Sequence, residues 1–217
     1  MVDIEKFERL CVIDTSSWAL WSDTGDSSVQ FFRERLRVLH GRAIFVGLNR
    51  SSSWSGKTET THLSNFHAPK HVGDRRLKKH IQDAGLKNLI GGFMTDVSEV
   101  IESRSGRVTV DSAESTRVFV DKVAAMDDSR EREIICFGDK VFETLRKGLG
   151  IKGARVSNRN HSIKSFESRV DGEIWTFHRV WHYSNYGKLL HKSESELPMQ
   201  LALIDDQITS QTTKASS

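Results

Sequence analysis

Short apolar runs separated by longer mixed segments dominate the hydrophobic pattern of this chain. Runs with the length and the β-branched or aromatic content of buried strands lie at residues 43–48, 89–94, 133–138 and 174–181. The segments around them repeat apolar residues every three or four positions, as amphipathic helices do, at residues 26–41, 73–85, 111–128, 139–150 and 193–208. Strands that alternate with helices predict a mostly parallel sheet with helices on both faces.

The predicted fold is therefore of the α/β class: a three-layer α/β/α sandwich with a central, mostly parallel four-stranded sheet. Residues 155–172 predict one further strand or a hairpin. We expect residues 1–208 to form a single domain, because a chain of 217 residues is long enough to bury one sizeable core. The polar residues 209–217 predict a disordered tail.

The composition is that of a soluble globular protein, with 37% hydrophobic and 28% charged residues. No run approaches the roughly 18 apolar residues of a membrane span, and the first ten residues carry acids instead of the apolar stretch of a signal peptide. We therefore expect a cytoplasmic protein with no membrane partner, acting as a monomer. The net charge of +3 permits a nucleic-acid partner without demanding one.

The cysteine and histidine content bears on whether the protein holds a metal ion or a cofactor. Cys11 and Cys136 are the two cysteines of the chain, and two thiols cannot supply a four-cysteine zinc or iron–sulfur site. His62, His67 and His71 lie in one long segment without convergent carboxylates. We therefore expect no obligatory metal and no cofactor.

Polar residues follow the predicted strands, where ligands bind in open α/β sheets. Asn49 ends the first strand and is followed by a long loop that carries Phe66. Thr95 and Asp96 follow the second strand, and His182 leads the loop after the fourth. Asn49 fits either a turn or a ligand contact, and Asp96 fits either a helix cap or a ligand contact.

Two other charged segments receive structural interpretations. The helix start after the third strand, residues 138–140, lacks the glycine pattern of a phosphate loop, so we expect it to be structural. The basic cluster at residues 75–80 is predicted to be a solvated helix face.

Two short motifs at these strand ends resemble those of the uracil-DNA glycosylase superfamily. "VGLNRSSS" (residues 46–53) is similar to its first motif, an apolar strand that ends in Gly-x-Asn. "VWHYSNYGK" (residues 180–188) is similar to its second motif, a strand that ends in His before a loop that enters the minor groove. The resemblance spans roughly residues 27–206. It implies a DNA glycosylase, which flips a base out of DNA and hydrolyses its N-glycosidic bond to leave an abasic site.

The resemblance also implies a role for individual residues. Asn49 corresponds to the residue that positions the attacking water, His182 to the residue that hydrogen-bonds the leaving base, and Phe66 to the aromatic that stacks on it. The base-binding residues are then expected to be Gly47, Leu48, Phe66, Thr95 and Asp96.

The same resemblance predicts DNA as the partner. The expected DNA contacts are Arg50, Ser51, Tyr183, Ser184, Asn185, Tyr186 and Lys188. Tyr183 or Tyr186 can act as a wedge in the DNA stack, or can be ordinary packing residues. Ser184 and Lys188 are candidates for phosphate contacts.

Three positions depart from the family pattern. Arg50 and Tyr183 stand where proline is usual, and Thr95 or Asp96 stands where uracil-selective members have an asparagine that reads the base. A carboxylate only accepts hydrogen bonds, and cytosine offers an amino donor that uracil lacks. The excised base is therefore either uracil or a modified cytosine, the latter in keeping with a bacterial defence against phage DNA. The alternatives are a catalytically inactive DNA-binding member of the same fold and an α/β enzyme that acts on free nucleotides.

Overall fold

The fold consists of six α-helices and seven β-strands within the residues that the structure describes. This structure, a computed structural model, describes residues 2–11, 16–49, 63, 65–68, 70–100, 102, 105–126, 131–153, 155–158, 163–185 and 187–215. The helices are α1 (Ile4–Cys11), α2 (Val29–Arg33), α3 (Val72–Lys78), α4 (Ser112–Ala124), α5 (Asp139–Gly148) and α6 (Leu197–Ala215). The strands are β1 (Ser17–Trp18), β2 (His40–Asn49), β3 (Gly92–Ser98), β4 (Glu131–Phe137), β5 (Arg155–Asn158), β6 (Ile163–Val170) and β7 (Glu173–Val180).

All strands join one sheet in the order β1-β3-β2-β4-β7-β6-β5. The central strands β3, β2, β4 and β7 are parallel and correspond to the predicted runs. The sheet is larger than the predicted four strands, because β1 pairs antiparallel at one edge and β6 and β5 pair antiparallel at the other. The hairpin expected within residues 155–172 is thus present.

Helices cover both faces of the sheet, which confirms the three-layer α/β/α architecture. Ile44 and Val46 of β2 face the core that α1, α2, α4 and α5 cover, while Ala43 and Phe45 face the core under α3 and α6. The alternation follows from the pleat of a strand, which points successive side chains to opposite faces. The strand β2 is therefore buried on both sides, as its continuous apolar run predicts.

Strand β3 starts later than predicted. The run at residues 89–94 was expected to be the strand, but β3 spans Gly92–Ser98 and is buried throughout. Thr95 and Asp96 therefore lie inside the strand, not after it. Thr95 and its neighbour point to opposite faces, since successive residues alternate along a strand.

The carboxyl end of the chain differs from the prediction of a disordered tail at residues 209–217. Helix α6 follows directly on a π-helical turn at Lys192–Glu196, so Pro198 lies within a continuous helical stretch, and α6 continues to Ala215. Ile208 is fully buried, and Gln211 Nε2 donates to Glu133 Oε1 at 3.0 Å. These tertiary contacts stabilise a segment whose composition alone favours disorder.

A turn of π-helix extends α3 at Lys79–Asp83, and a second one at Lys192–Glu196 leads into α6. Two 3₁₀ turns lie at Ser105–Arg107 and Gly187–Leu189. No described helix is long and apolar enough to cross a bilayer.

Candidate active site

A pocket of about 520 Å³ opens at the carboxyl ends of the central strands. Its walls come from the ends of β2 and β4, from β3, from the segments before α3 and after β7, and from the start of α5. The sequence-predicted residues that line it are Gly47, Leu48, Asn49, Phe66, Asp96, His182, Tyr183, Ser184 and Asn185. The two motifs, more than 130 positions apart along the chain, therefore meet in one cavity.

Other predicted residues lie elsewhere. Thr95 is fully buried on the opposite face of β3 from Asp96 and does not line this pocket, which leaves its predicted base-binding role without support from the pocket geometry. Lys188 is exposed in the turn Gly187–Leu189, outside the pocket lining. The predicted DNA contacts Arg50, Ser51 and Tyr186 lie outside the described residues.

His182 follows β7 and is held as a neutral hydrogen-bond donor. The backbone N–H of Ser184 donates to His182 Nδ1 at 3.0 Å. The proton of the neutral ring therefore resides on Nε2, which has no hydrogen-bond partner among the described residues. Burial, and secondarily the charge of His71, lowers the pKa of His182 to about 4, against the opposing effect of Asp74.

The loop that carries His182 is fixed by the π-helical turn before α6. Ser193 Oγ donates to the carbonyl oxygen of His182 at 2.7 Å and accepts from the N–H of Asn185 at 3.2 Å. Arg76 reaches across from α3 and donates to the carbonyl oxygen of Tyr183 at 2.8 Å. The histidine is thus positioned by backbone contacts on both sides of it.

Tyr183 is part of the pocket wall. Its side chain is 8% exposed, and its ring lies 4.9 Å from that of Phe137 and 4.7 Å from that of His182. Its burial and ring contacts favour the packing interpretation, and the role of Tyr183 as a wedge in the DNA stack stays a prediction. The tyrosine supports the imidazole by stacking at an interplanar angle of 18°.

Asn49 is the last residue of β2. Its Nδ2 donates to the carbonyl oxygen of Glu102 at 2.6 Å. This bond fixes the orientation of the amide, because only the nitrogen end can donate. The carbonyl end of Asn49 is the end that can accept a hydrogen bond from a ligand or a water molecule.

Gly47, Asp96 and Phe66 meet at the base of the pocket with no room for another atom. A Cβ on Gly47 would lie 2.2 Å from Asp96 Oδ1 and 3.2 Å from Phe66 Cζ. Asp96 is 2% exposed and its Oδ2 accepts from Asn65 Nδ2 at 2.9 Å. The glycine is therefore what permits the carboxylate and the aromatic ring to approach each other.

Phe66 has a left-handed backbone, with φ of 65°, a conformation uncommon outside glycine. Trp21 Nε1 donates to the carbonyl oxygen of Phe66 at 3.2 Å and holds it there. The Phe66 ring lies 6.1 Å from the ring of Tyr183. Together with Phe137, these rings give the pocket an aromatic wall.

Sequence reasoning missed several pocket residues. The segment before α3 contributes Asn65 and His71, the first turn of α3 contributes Asp74, and the segment after β3 contributes Glu102. The end of β4 and the start of α5 contribute residues 137–141. Phe137 and the α5 start follow a parallel strand, so the strand-end rule predicts their position, but residues 138–140 were interpreted as purely structural. That interpretation is incomplete: Asp139 does pair with Arg179, yet the same turn also lines the pocket.

His71 and Asp74 form a second polar group in the pocket. His71 Nδ1 lies 2.8 Å from Asp74 Oδ1, and the N–H of Ala68 donates to Asp74 Oδ2 at 2.9 Å. Asp74 is buried and raises the pKa of His71 above its ordinary value, chiefly through that hydrogen bond. The pocket therefore holds two histidines whose pKa values are shifted in opposite directions.

Within the described part of the chain, no group of three or more His, Cys, Asp or Glu side chains is arranged to hold a metal ion. No protein-family model matches the sequence, and no curated protein matches it at a significant level.

Proposed function

We propose that this protein is a DNA glycosylase that binds an extruded base in the pocket and hydrolyses its N-glycosidic bond. The observation that carries the proposal is the presence of Asn49 and His182 in one cavity that also has an aromatic wall. Its volume of about 520 Å³ lies within the roughly 300–1,000 Å³ usual for small-molecule sites.

The leaving base acquires negative charge as the bond to C1′ breaks. His182 donates Nε2–H to it while the imidazole remains neutral, because the pKa of about 4 keeps the ring unprotonated near pH 7. A donor aimed at developing charge in a partly buried site contributes about 3 kcal/mol to the transition state. The hydrogen bonds from the Ser184 N–H and from the Ser193 hydroxyl keep this donor in position beforehand.

Asn49 positions the attacking water. A neutral amide cannot take a proton at pH 7, so its contribution is geometric. The bond from Nδ2 to the Glu102 carbonyl fixes the amide, and its carbonyl oxygen then accepts a hydrogen bond from the water. The water is thereby held beneath C1′ as positive charge develops on the sugar.

Extrusion of a base costs a few kcal/mol. Stacking on an aromatic side chain offsets about 1–3 kcal/mol of that cost, and Phe66 is the candidate, as its ring lines the pocket beside that of Tyr183. The left-handed backbone at residue 66 and the bond from Trp21 fix the ring before the base arrives.

The base read by the pocket has an exocyclic amino group. Asp96 is buried in the lining, where its carboxylate accepts hydrogen bonds and repels carbonyl oxygens. Cytosine presents an N4 amino donor, whereas uracil presents carbonyls on both sides of its N3–H. A cytosine with a substituent on the ring therefore fits better than uracil, and removal of such bases from phage DNA is the corresponding biological role.

Excision assays on duplexes that differ at one base test the proposal. Uracil, cytosine and 5-substituted cytosines are placed in otherwise identical DNA, and abasic sites are detected as alkali-labile breaks. We expect release of a cytosine derivative, with single-turnover rates lowered about 100- to 1,000-fold in Asn49→Ala and His182→Ala. The exposed His191, whose Nδ1 bonds to the Lys188 carbonyl outside the pocket, provides the matched control His191→Ala.

Two outcomes contradict the proposal. DNA binding without release of any base would favour an inactive DNA-binding protein. Binding of free nucleotides without affinity for DNA would favour an enzyme of nucleotide metabolism. Release of plain uracil alone would leave the glycosylase intact and refute the role given to Asp96.

A further inference from the structure

The pair formed by His71 and Asp74 has the geometry of an oriented acid–base group. Asp74 is 5% exposed and receives the backbone N–H of Ala68 on Oδ2, so its carboxylate is fixed in place. Its Oδ1 lies 2.8 Å from His71 Nδ1, whereas the N–H of Asp74 lies 3.4 Å from the same nitrogen. The shorter contact is the stronger one, and it requires Nδ1 to carry a proton.

The opposite nitrogen of His71 is the one that can exchange a proton. No described residue hydrogen-bonds His71 Nε2, and the ring is part of the pocket lining. His182 in the same pocket has the reverse arrangement, with Nδ1 as acceptor and Nε2 as a fixed donor. The two rings are thus prepared for different tasks: one donates a hydrogen bond, and the other can take up and release a proton.

We infer that His71, oriented by Asp74, is the general acid that protonates the departing base, while His182 remains neutral throughout. This inference rests on the proposed glycosylase function and adds a catalytic residue that the motif resemblance does not include. A positioned general acid of this kind typically accelerates a reaction by about 100- to 10,000-fold.

The step balances without any further reactant. The bond between C1′ and the base nitrogen breaks, and its electron pair stays on the base. Protonated His71 transfers the proton on Nε2 to the base, which leaves neutral. Water adds to C1′ and releases its surplus proton to the solvent, from which the now neutral His71 is protonated again.

The charges around His71 favour its protonated form. Asp74 raises the pKa of His71, chiefly through its hydrogen bond, whereas burial and the charges of Arg75 and Arg76 lower the pKa by less. The other titratable or charged groups that line the pocket are His182 after β7, Asp96 on β3, Glu102 after β3, and Asp139 and Lys140 on α5. His182 adds no positive charge near pH 7, because its pKa is about 4. A raised pKa means that the acid form is present at low pH and is lost as the pH rises through that value.

The test is the pH profile of single-turnover excision at saturating protein, so that changes in DNA affinity do not enter. We expect the rate of the unaltered protein to fall tenfold per pH unit above the pKa of His71. His71→Asn retains a residue that can cap α3, and we expect it to be about 100-fold slower or more and to lack this alkaline fall. His191→Asn, which alters an exposed histidine outside the pocket, should keep both rate and profile.

A second variant addresses the partner residue. Asp74→Asn removes the charge that raises the pKa of His71, so the alkaline fall should move to lower pH without disappearing. Circular dichroism melts establish that each variant is folded.

The outcomes separate this inference from the proposed function. A slower His71→Asn protein with an unchanged pH profile would show a structural role for His71 and overturn the inference alone. Absence of excision from every DNA tested would overturn the glycosylase proposal, and the general-acid role with it.

Discussion

Two histidines four positions apart differ in how their ring nitrogens are used. His178 lies inside β7 and is 2% exposed; its Nδ1 lies 2.9 Å from Ser165 Oγ and its Nε2 lies 2.5 Å from Glu133 Oε2. His182 lies just after the strand, with Nδ1 bonded to a backbone N–H and Nε2 at the pocket. The first ring has no nitrogen left for a ligand, and the second has one.

The difference shows how a residue type alone fails to identify a site. Both side chains belong to one segment of the sequence, "TFHRVWHYS", but His178 is buried and His182 is only partly buried. The supply of hydrogen-bond partners also distinguishes them. Inside the sheet, Glu133 and Ser165 lie on the strands that flank β7 and pair with His178, whereas His182 lies beyond Val180, the last residue of β7 that pairs with β4. At a strand end, a polar side chain can keep a hydrogen-bonding atom that the fold does not use, and ligands of α/β sheets bind there.

Removal of Glu133 takes away the partner of the buried histidine, His178, and has the largest expected effect on stability. Glu133→Ala leaves His178 Nε2 and the Gln211 amide without their acceptors. We expect the free energy of unfolding in urea to fall by about 3–5 kcal/mol, as when one member of a buried pair is deleted. Glu131→Ala, on an exposed position of the same strand, should change it by no more than about 0.5 kcal/mol. A loss below about 1 kcal/mol for Glu133→Ala would mean that the closed cluster contributes little.

His67 is a buried histidine that bonds to a backbone carbonyl, and its burial makes the stability of the protein depend on pH. His67 is buried and its Nε2 bonds to the Trp18 carbonyl at 3.0 Å, and burial lowers its pKa to about 4. The unfolded chain takes up a proton near pH 6.5, which the folded chain does not until about pH 4, so stability is complete above pH 6.5 and declines by about 3 kcal/mol as the pH falls through this window.

Urea unfolding at several pH values between 7 and 4 measures this decline. His67→Gln preserves a donor for the Trp18 carbonyl but cannot titrate, so its stability should depend less steeply on pH. The exposed His191→Gln should follow the parent protein. Identical slopes for all three proteins would contradict the assignment.

A methyl group at Gly47 tests the pocket at the strand ends, where His182 lies, and has the smallest expected effect on stability. Gly47→Ala introduces a methyl group 2.2 Å from Asp96 Oδ1, so the carboxylate must move. We expect a loss of about 1–3 kcal/mol in unfolding free energy, together with a greater proportional loss of excision. Gly106→Ala, where no atom lies within 4 Å of the new Cβ, is the matched control. Unimpaired excision by Gly47→Ala would show that Asp96 does not read the base.

The central sheet was predictable because its strands are short apolar runs. The runs at residues 43–48, 133–138 and 174–181 became β2, β4 and β7 with small changes in their bounds. The run at 89–94 predicted the wrong bounds for β3, because neighbouring elements, and not hydrophobicity, bury Thr95 and Asp96 inside the strand. The two-residue strand β1 has too little sequence for any periodicity.

The site was predictable where it follows strand ends. Asn49 and His182 were expected to converge because carboxyl ends of parallel strands meet at one edge, and the pocket contains both. His71 and Asp74 belong instead to the start of α3, and no rule of spacing relates the start of that helix to the crevice. The position of Asn65 was equally unpredictable from the sequence, because it lies in a turn held by the hydrogen bond from Ser17 Oγ to the Leu63 carbonyl.

The last turns of α6 are polar in composition, yet they make a tertiary contact with the central sheet. Gln211 Nε2 and His178 Nε2 each bond one oxygen of the Glu133 carboxylate, which lies on the central strand of the sheet. The turns of α6 after Ile208 therefore complete the hydrogen bonding of an interior carboxylate, and they couple this helix to the strand on which Glu133 lies.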